Sequence, residues 1–215
     1  MGQNYPVYLN LTGRLCIVVG GGKVAERKVQ SLLESGARVR VISPAASYAL
    51  LEAEGLGKIE LVLREYSSHD IAGAFLVISA TDNDRINRLV ADDCFQRNIL
   101  VNVVDDPPKC NFIVPAVVRR GALSIAISTD GKSPALAQKI KTELERQYGP
   151  EYAELLEILG ELRSKVIAGV KDIERRRVIF KRVVDSDLLE LLRKGEQERV
   201  KERIEDVLGG SGFES

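Results

Sequence analysis

The chain has 215 residues, 45% hydrophobic and 29% charged, with Lys+Arg and Asp+Glu balanced at 31 each. This is the composition of a folded chain, long enough for one large domain or for a nucleotide-binding unit plus a smaller one. Zero net charge, no Trp and 5% aromatic residues give no support to a nucleic-acid binder, and no apolar run approaches the ~20 residues that cross a bilayer.

The first half alternates strand and helix signals. Leu15–Val19 is a predicted strand, Lys23–Ser35 a helix closed by Gly36, and Arg38–Ser43 a second strand ended by Pro44. Ala46–Glu54 is a short helix stopped by Gly55 and Gly57, followed by a third strand, Ile59–Arg64. Phe75–Ala80, apolar except for Ser79, is a fourth strand. A helix then runs from Asp82 or Asn83 to about Arg97, and Leu100–Val104 is a fifth strand. Apolar strands separated by helices predict an α/β fold with a Rossmann-like parallel sheet, its ligand at the carboxyl ends of the strands.

The pattern changes after residue 110. Phe112–Val118 and Leu123–Ser128 are β-rich and joined by the turn Arg119-Arg120-Gly121-Ala122, so a hairpin is predicted. Ser133-Pro134 is a cap followed by a first helical residue, predicting a helix to about Tyr148, where Gly149-Pro150 breaks it. From Glu151 onward the chain reads as helical. Leu155, Leu156, Ile158, Leu159 and Leu162 form one apolar face, Val178, Ile179 and Val183 another, and Leu188, Leu189, Leu191 and Leu192 belong to a further helix. Gly209–Ser215 is expected to fray.

Three segments carry chemistry. Gly20-Gly21-Gly22-Lys23-Val24-Ala25 fits G-x-G-x-x-A between a strand and a helix. Gly20 suits a tight turn, Gly22 lets backbone approach a pyrophosphate, Ala25 lets helix and strand pack closely, and the helix amino terminus faces the phosphates. The second strand ends in Ser43-Pro44-Ala45, with no acid for a ribose 2′-hydroxyl and no arginine at its tip for a 2′-phosphate. These residues leave NAD against NADP open, with a lean to NAD. Asn102-Val103-Val104-Asp105-Asp106-Pro107 follows the fifth strand. A carboxylate there can accept a proton or act as a hard ligand for a metal, although Asp before Pro is also an ordinary turn signal. Ser128-Thr129-Asp130-Gly131-Lys132-Ser133 puts hydroxyls and a lysine before a helix, a place for substrate carboxylates or simply an N-cap. Its Gly-Lys-Ser lacks the earlier glycine of a P-loop, since Ala126 stands there.

The remaining features read as structural. Cys16, Cys94 and Cys110 are odd in number and far apart, which fits a reduced, cytoplasmic protein and no disulfide framework. His69, the single histidine, falls in a polar loop, so no histidine-built metal site is expected. Glu174-Arg175-Arg176-Arg177 reads as a solvated helix face, with substrate or partner contact as the alternative. No signal peptide is read at the start of the chain.

Taken in order, the segments resemble one family, the precorrin-2 dehydrogenases that form the amino-terminal region of siroheme synthases. The matching stretches are Pro6-Val7-Tyr8-Leu9-Asn10-Leu11, Val18 to Lys28, Ala80-Thr81-Asp82-Asn83, Asn102-Val103-Val104-Asp105, Phe112-Ile113-Val114-Pro115 and Ser133-Pro134. The resemblance spans residue 5 to about residue 185. It implies oxidation of precorrin-2 to sirohydrochlorin with NAD as hydride acceptor. In some members it also implies insertion of ferrous iron, and larger members carry a fused methyltransferase, not expected in a chain ending at 215. It implies a homodimer built from an NAD-binding Rossmann domain (1–112), a dimerisation segment of hairpin plus helix (113–148) and a small helical domain (149–215). A tetrapyrrole is the implied substrate, with neither nucleic acid nor membrane as partner.

Carried over by position, the family's catalytic aspartate falls on Asp105. The cofactor positions fall on Gly21, Gly22, Lys23 and Val24, on Ser43, Pro44 and Ala45, and on Thr81, beside Gly20 of the fingerprint. Asn102, Ser128, Thr129, Lys132 and Ser133 are the candidate substrate contacts. Thr129 stands where some members have serine, which argues against a serine-specific modification there. The competing expectation from a different class is a non-catalytic NAD sensor that signals through its helices.

Overall fold

The computed structural model describes residues 4–209, so the expected fraying of the tail falls, apart from Gly209, outside the described residues. The chain divides into two compact units, one ending at Val114 and one beginning at Pro115.

The first unit is a five-stranded, all-parallel sheet in the order β3-β2-β1-β4-β5. Its strands are β1 (Leu15–Val19), β2 (Arg38–Ile42), β3 (Ile59–Val62), β4 (Leu76–Ser79) and β5 (Leu100–Val103). Its helices are α1 (Lys23–Glu34), α2 (Tyr48–Gly55) and α3 (Asp84–Gln96). The α/β, Rossmann-like class expected from the sequence is the fold observed.

Strand side chains alternate between two cores, as a period of two dictates. Cys16 and Val18 of β1 pack with Ala25, Val29 and Leu32 of α1 and Leu50 of α2. Ile17 and Val19 pack with Val90, Ala91 and Cys94 of α3. The buried thiols of Cys16 and Cys94 are pushed up to about 11 and about 12, in both cases chiefly by burial. The strand order places β1 between β2 and β4, so the connections after β1 and β4 leave on opposite faces and a crevice opens at their carboxyl ends.

The second unit pairs β6 (Ala116–Arg120) with β7 (Leu123–Ile127) antiparallel, with α4 (Pro134–Gln147) and α5 (Glu151–Gly169) packed on the hairpin. Helices α6 (Ile173–Val184), α7 (Leu188–Lys194) and α8 (Gln197–Gly209) complete a core around Leu162, Val166, Ile179, Val183, Leu188 and Val200.

Two expectations about this region need correction. The hairpin's first strand begins at Ala116, not Phe112, because Phe112 packs on the first unit's core and Pro115 has no N–H for a ladder. Arg119 and Arg120 belong to that strand, and the turn shrinks to Gly121-Ala122, with Gly121 at φ +55°. Arg120 instead donates from Nε to the Tyr148 carbonyl at 2.8 Å and from a terminal nitrogen to that of Glu145 at 3.0 Å, closing the end of α4. Val178, expected on a buried face, is 57% exposed; Ile179 and Val183, one turn apart, take that face.

Candidate functional site

The glycine turn is held from both sides. Gly20 has φ +126°, and a methyl group there would come within 2.7 Å of the Ala80 carbonyl carbon, beyond the end of β4. At Gly21 a methyl would overlap the Ala45 carbonyl and stand 2.9 Å from Ser43 Oγ, beyond the end of β2. The Gly21 carbonyl accepts a 2.9 Å hydrogen bond from the Ser47 N–H. Gly22 differs: it is the N-cap of α1, no side chain caps that helix, and an added methyl would meet nothing within 4 Å. Open space over an uncapped helix start is what a phosphate needs. Ala25, fully buried, lets α1 lie close on the sheet.

A cleft of about 620 Å³ opens from this turn along the carboxyl ends of the strands. It is lined by Gly20, Gly21, Gly22, Lys23 and Val24, by Ser43, Pro44 and Ala45, by Thr81, and by Asp105. Every cofactor position expected from the sequence, and the expected catalytic carboxylate, thus share one cavity of ligand size. Ala46, Ala80, Asp82 and Val104 also line it; the last three lie in the motif stretches quoted above but were given no role of their own. A groove of about 580 Å³ between α1 and α2 has no such convergence of glycine turn and strand ends.

The turn after β4 is shaped from within. Ser79, fully buried, donates its hydroxyl to Asn87 Oδ1 at 2.7 Å, and Asn87 Nδ2 donates to the Thr81 carbonyl at 3.0 Å. Thr81 Oγ1 accepts from the Asn83 N–H at 3.2 Å, and Asn83 Oδ1 caps α3. Asn87, one turn inside α3, carried no motif signal.

The loop after β5 separates two adjacent aspartates. The Val104 N–H extends the sheet to the Ser79 carbonyl at 2.9 Å, and Asp105 follows at φ +59°, exposed and on the cleft wall. Asp106 turns to Lys109 Nζ at 2.5 Å, in the one-turn 3₁₀ helix Pro107–Lys109. Asn102 does not line the cleft. Its amide donates to the Phe112 carbonyl at 3.1 Å and toward Cys110 Sγ at 3.6 Å, anchoring the base of the loop. Lys28, one turn beyond Val24 on α1, closes the quoted glycine-turn stretch but was given no role from the sequence. Burial pushes its ammonium below the usual lysine value and neighbouring Arg27 adds to this, while the Asp105 carboxylate opposes it.

A family model for putative NAD(P)-binding domains matches residues 7–116. Models for the sirohaem biosynthesis protein central region and the sirohaem synthase dimerisation region match residues 120–147 and 151–208. A solved structure described as SirC, precorrin-2 dehydrogenase, superposes with a TM-score of 0.80 at 30% identity, covering 94% of this chain and 99% of that one. The chain belongs to the precorrin-2 dehydrogenase family of siroheme synthases. Siroheme synthases of Thioalkalivibrio sulfidiphilus and Photobacterium profundum are 38% and 36% identical over 95% and 93% of the chain. The chain spans 42% of the length of each of these relatives.

The other candidates for this precorrin-2 dehydrogenase family member lie in the second unit. Ser133 Oγ accepts from the Leu136 N–H at 3.2 Å, and Thr129 Oγ1 accepts from the Ser133 N–H at 3.1 Å. Ser128 Oγ accepts from the Asp130 N–H at 3.1 Å, and the Lys132 N–H donates to the Thr129 carbonyl at 2.9 Å. The turn is therefore an N-cap for α4, with the Lys132 side chain exposed beside it. In the arginine run, Arg176 donates to the carbonyls of Ile167 (3.0 Å) and Val170 (2.5 Å), closing α5, while Arg177 pairs with Glu174 at 2.6 Å. His69 is exposed. Among the described residues no helix is long and apolar enough to cross a membrane, and no group of three or more His, Cys, Asp or Glu side chains is placed to hold a metal ion.

Proposed function

We propose that this chain oxidises precorrin-2 to sirohydrochlorin in siroheme biosynthesis, with NAD as cofactor. One observation carries the reading: the glycine turn, the β2 end and Asp105 open into the same cleft. Bound NAD would supply the hydride acceptor. Gly22 and the α1 start would receive the pyrophosphate, with Lys23 beside it; Ser43, Pro44 and Ala45 would line the adenosine ribose; Thr81 and Asp105 would flank the nicotinamide end. Asp105 is the base that removes a ring proton from the substrate, an exposed residue on the cleft wall that a large macrocycle can reach. Val104 beneath it is hydrogen-bonded into the sheet, so the base stands on a rigid support.

Asn102 acts on this site by holding the loop, and Ser128, Thr129, Lys132 and Ser133 remain candidate contacts for substrate carboxylates. The division into 1–112, 113–148 and 149–215, homodimer formation, and a cytoplasmic location without nucleic-acid or membrane partners belong to the same proposal. The match to a dimerisation region supports the homodimer.

The test is reduced-nicotinamide absorbance when precorrin-2 is mixed first with NAD and then with NADP. NAD-dependent turnover supports the proposal. Tight NAD binding with no turnover, and a change in assembly on binding, would instead establish a sensor. Iron insertion into sirohydrochlorin without NAD is a separate assay for chelatase activity.

A further inference from the structure

The two lips of the cleft are joined by a single side chain. Lys109 Nζ lies 2.5 Å from Asp84 Oδ1 and 2.5 Å from Asp106 Oδ2. Asp84 is the first residue of α3, directly after the turn that brings Thr81 and Asp82 into the cleft. Asp106 follows Asp105. One ammonium thus ties the turn after β4 to the loop after β5, across 25 positions of sequence.

Isolated surface ion pairs contribute little, because water screens them and two long side chains must be ordered. This one differs in form. Its lysine is only 18% exposed and is shared by two carboxylates, so one ordered chain serves two bonds. The hydrogen bonds raise the Lys109 ammonium above the usual lysine value, and the bond from Lys109 is the largest cause that lowers the Asp84 carboxyl.

The base of the same loop is fixed elsewhere. Cys110 Sγ accepts from the Val103 N–H at 3.2 Å and lies 3.2 Å from the Asp106 carbonyl, and Asn102 holds Phe112. Among the described residues the side chain of Lys109 supplies the hydrogen bond and ion pair that join this loop to α3. Asp105 lies at that tip in a left-handed conformation, which a non-glycine residue keeps only while its surroundings impose it.

We propose that Lys109 is a positioning residue, clamping the start of α3 to the Asp105 loop so that the Asp105 carboxylate stays over the reacting end of the cleft. This rests on the assignment of Asp105 as the base. It gives a role to a residue outside the cleft wall, acting through Asp105 and touching neither cofactor nor substrate.

The test uses the full chain with Lys109→Met, Lys109→Arg and Asp105→Asn, alone and combined. Lys109→Met should lower kcat about 10- to 100-fold, the scale of an ångström-sized displacement of a catalytic group, while the Kd for NAD stays within about twofold. Lys109→Arg should recover most of the loss, since a guanidinium can also span two carboxylates. In the Asp105→Asn background, Lys109→Met should cost nothing further. Native kcat in Lys109→Met, an equal loss when Asp105 is already gone, or a matching loss of NAD affinity would each overturn the clamp. If the unaltered chain fails to oxidise precorrin-2, the dehydrogenase reading falls. The clamp is then judged by amide exchange alone: faster exchange at 104–109 in Lys109→Met supports it, and unchanged protection overturns it.

Discussion

Gly21 and Gly22 are neighbours with opposite surroundings, and substituting each in turn separates folding from binding. At Gly22 the backbone has φ −92° and an added methyl meets nothing within 4 Å, so Gly22→Ala should change stability by no more than about 0.5 kcal/mol. The same methyl would occupy the space over the α1 start where the proposed NAD site would receive the pyrophosphate. A methyl forced into a packed contact costs ~1–3 kcal/mol, or about 5- to 150-fold in NAD affinity. Gly21→Ala reverses the pattern. Its methyl overlaps the Ala45 carbonyl, and relieving that pushes the 43–47 loop away from the turn. Overpacking at ~1–3 kcal/mol and loss of the 2.9 Å Ser47-to-Gly21 bond, at ~0.5–1.5 kcal/mol, together lower Tm by roughly 5–15 °C. Titration of bound-NADH fluorescence, in a chain with no Trp, gives the affinities, and thermal melting followed by circular dichroism gives the stabilities. Native NADH affinity in Gly22→Ala, or a native Tm in Gly21→Ala, would refute this assignment of the two glycines.

Asp105→Asn should reduce precorrin-2 oxidation by ~10²–10⁴-fold while leaving NAD affinity nearly native, in steady-state kinetics set beside binding titrations; Asn tolerates the +59° backbone, which makes it a cleaner test than Asp105→Ala. The paired bonds from Arg64 (2.6 and 2.8 Å) hold the Asp70 carboxyl below its usual range. That stabilisation is complete above the unfolded carboxyl value of ~3.9 and lost as pH falls through the lower folded value, so Asp70→Asn should flatten the acid limb of a Tm-against-pH curve. At the alkaline end, burial first and the 2.8 Å bond to Asp93 second push the Tyr66 hydroxyl far above its ordinary value. Its contribution is present below the unfolded value of ~10 and lost as pH rises toward the folded one. Tyr66→Phe should remove that limb and cost ~1–3 kcal/mol at neutral pH in urea unfolding, because the buried Asp93 loses its donor.

Much of the first unit is legible in the amino-acid order. Leu15–Val19, Arg38–Ile42 and Leu76–Ser79 are short runs rich in β-branched residues between helix-forming stretches, and each is a strand within a residue or two of expectation. These signals are local: a strand needs a few β-forming residues, and a turn needs glycine where φ must be positive. The hairpin was harder to bound. Phe112–Val114 are as β-prone as Ala116–Arg120, and their different fates follow from Phe112 packing on another core and from a proline without an N–H.

The sequence alone therefore determines the βαβ path, the glycine turn and the presence of an aspartate after the fifth strand, all properties of residues close together in the chain. Side-chain chemistry does not distinguish Asp105 from its neighbour Asp106; in the sequence only the Asn-Val-Val-Asp motif order points to Asp105. Tertiary structure separates the two, by turning Asp106 to Lys109 and leaving Asp105 on the cleft wall. Nor does the sequence reveal the crowding of Gly21 by Ala45, the support of Thr81 by Asn87, or the bridge from Lys109 to Asp84. Each joins groups that only the placement of β1 between β2 and β4, and of α3 beside β5, brings within bonding distance.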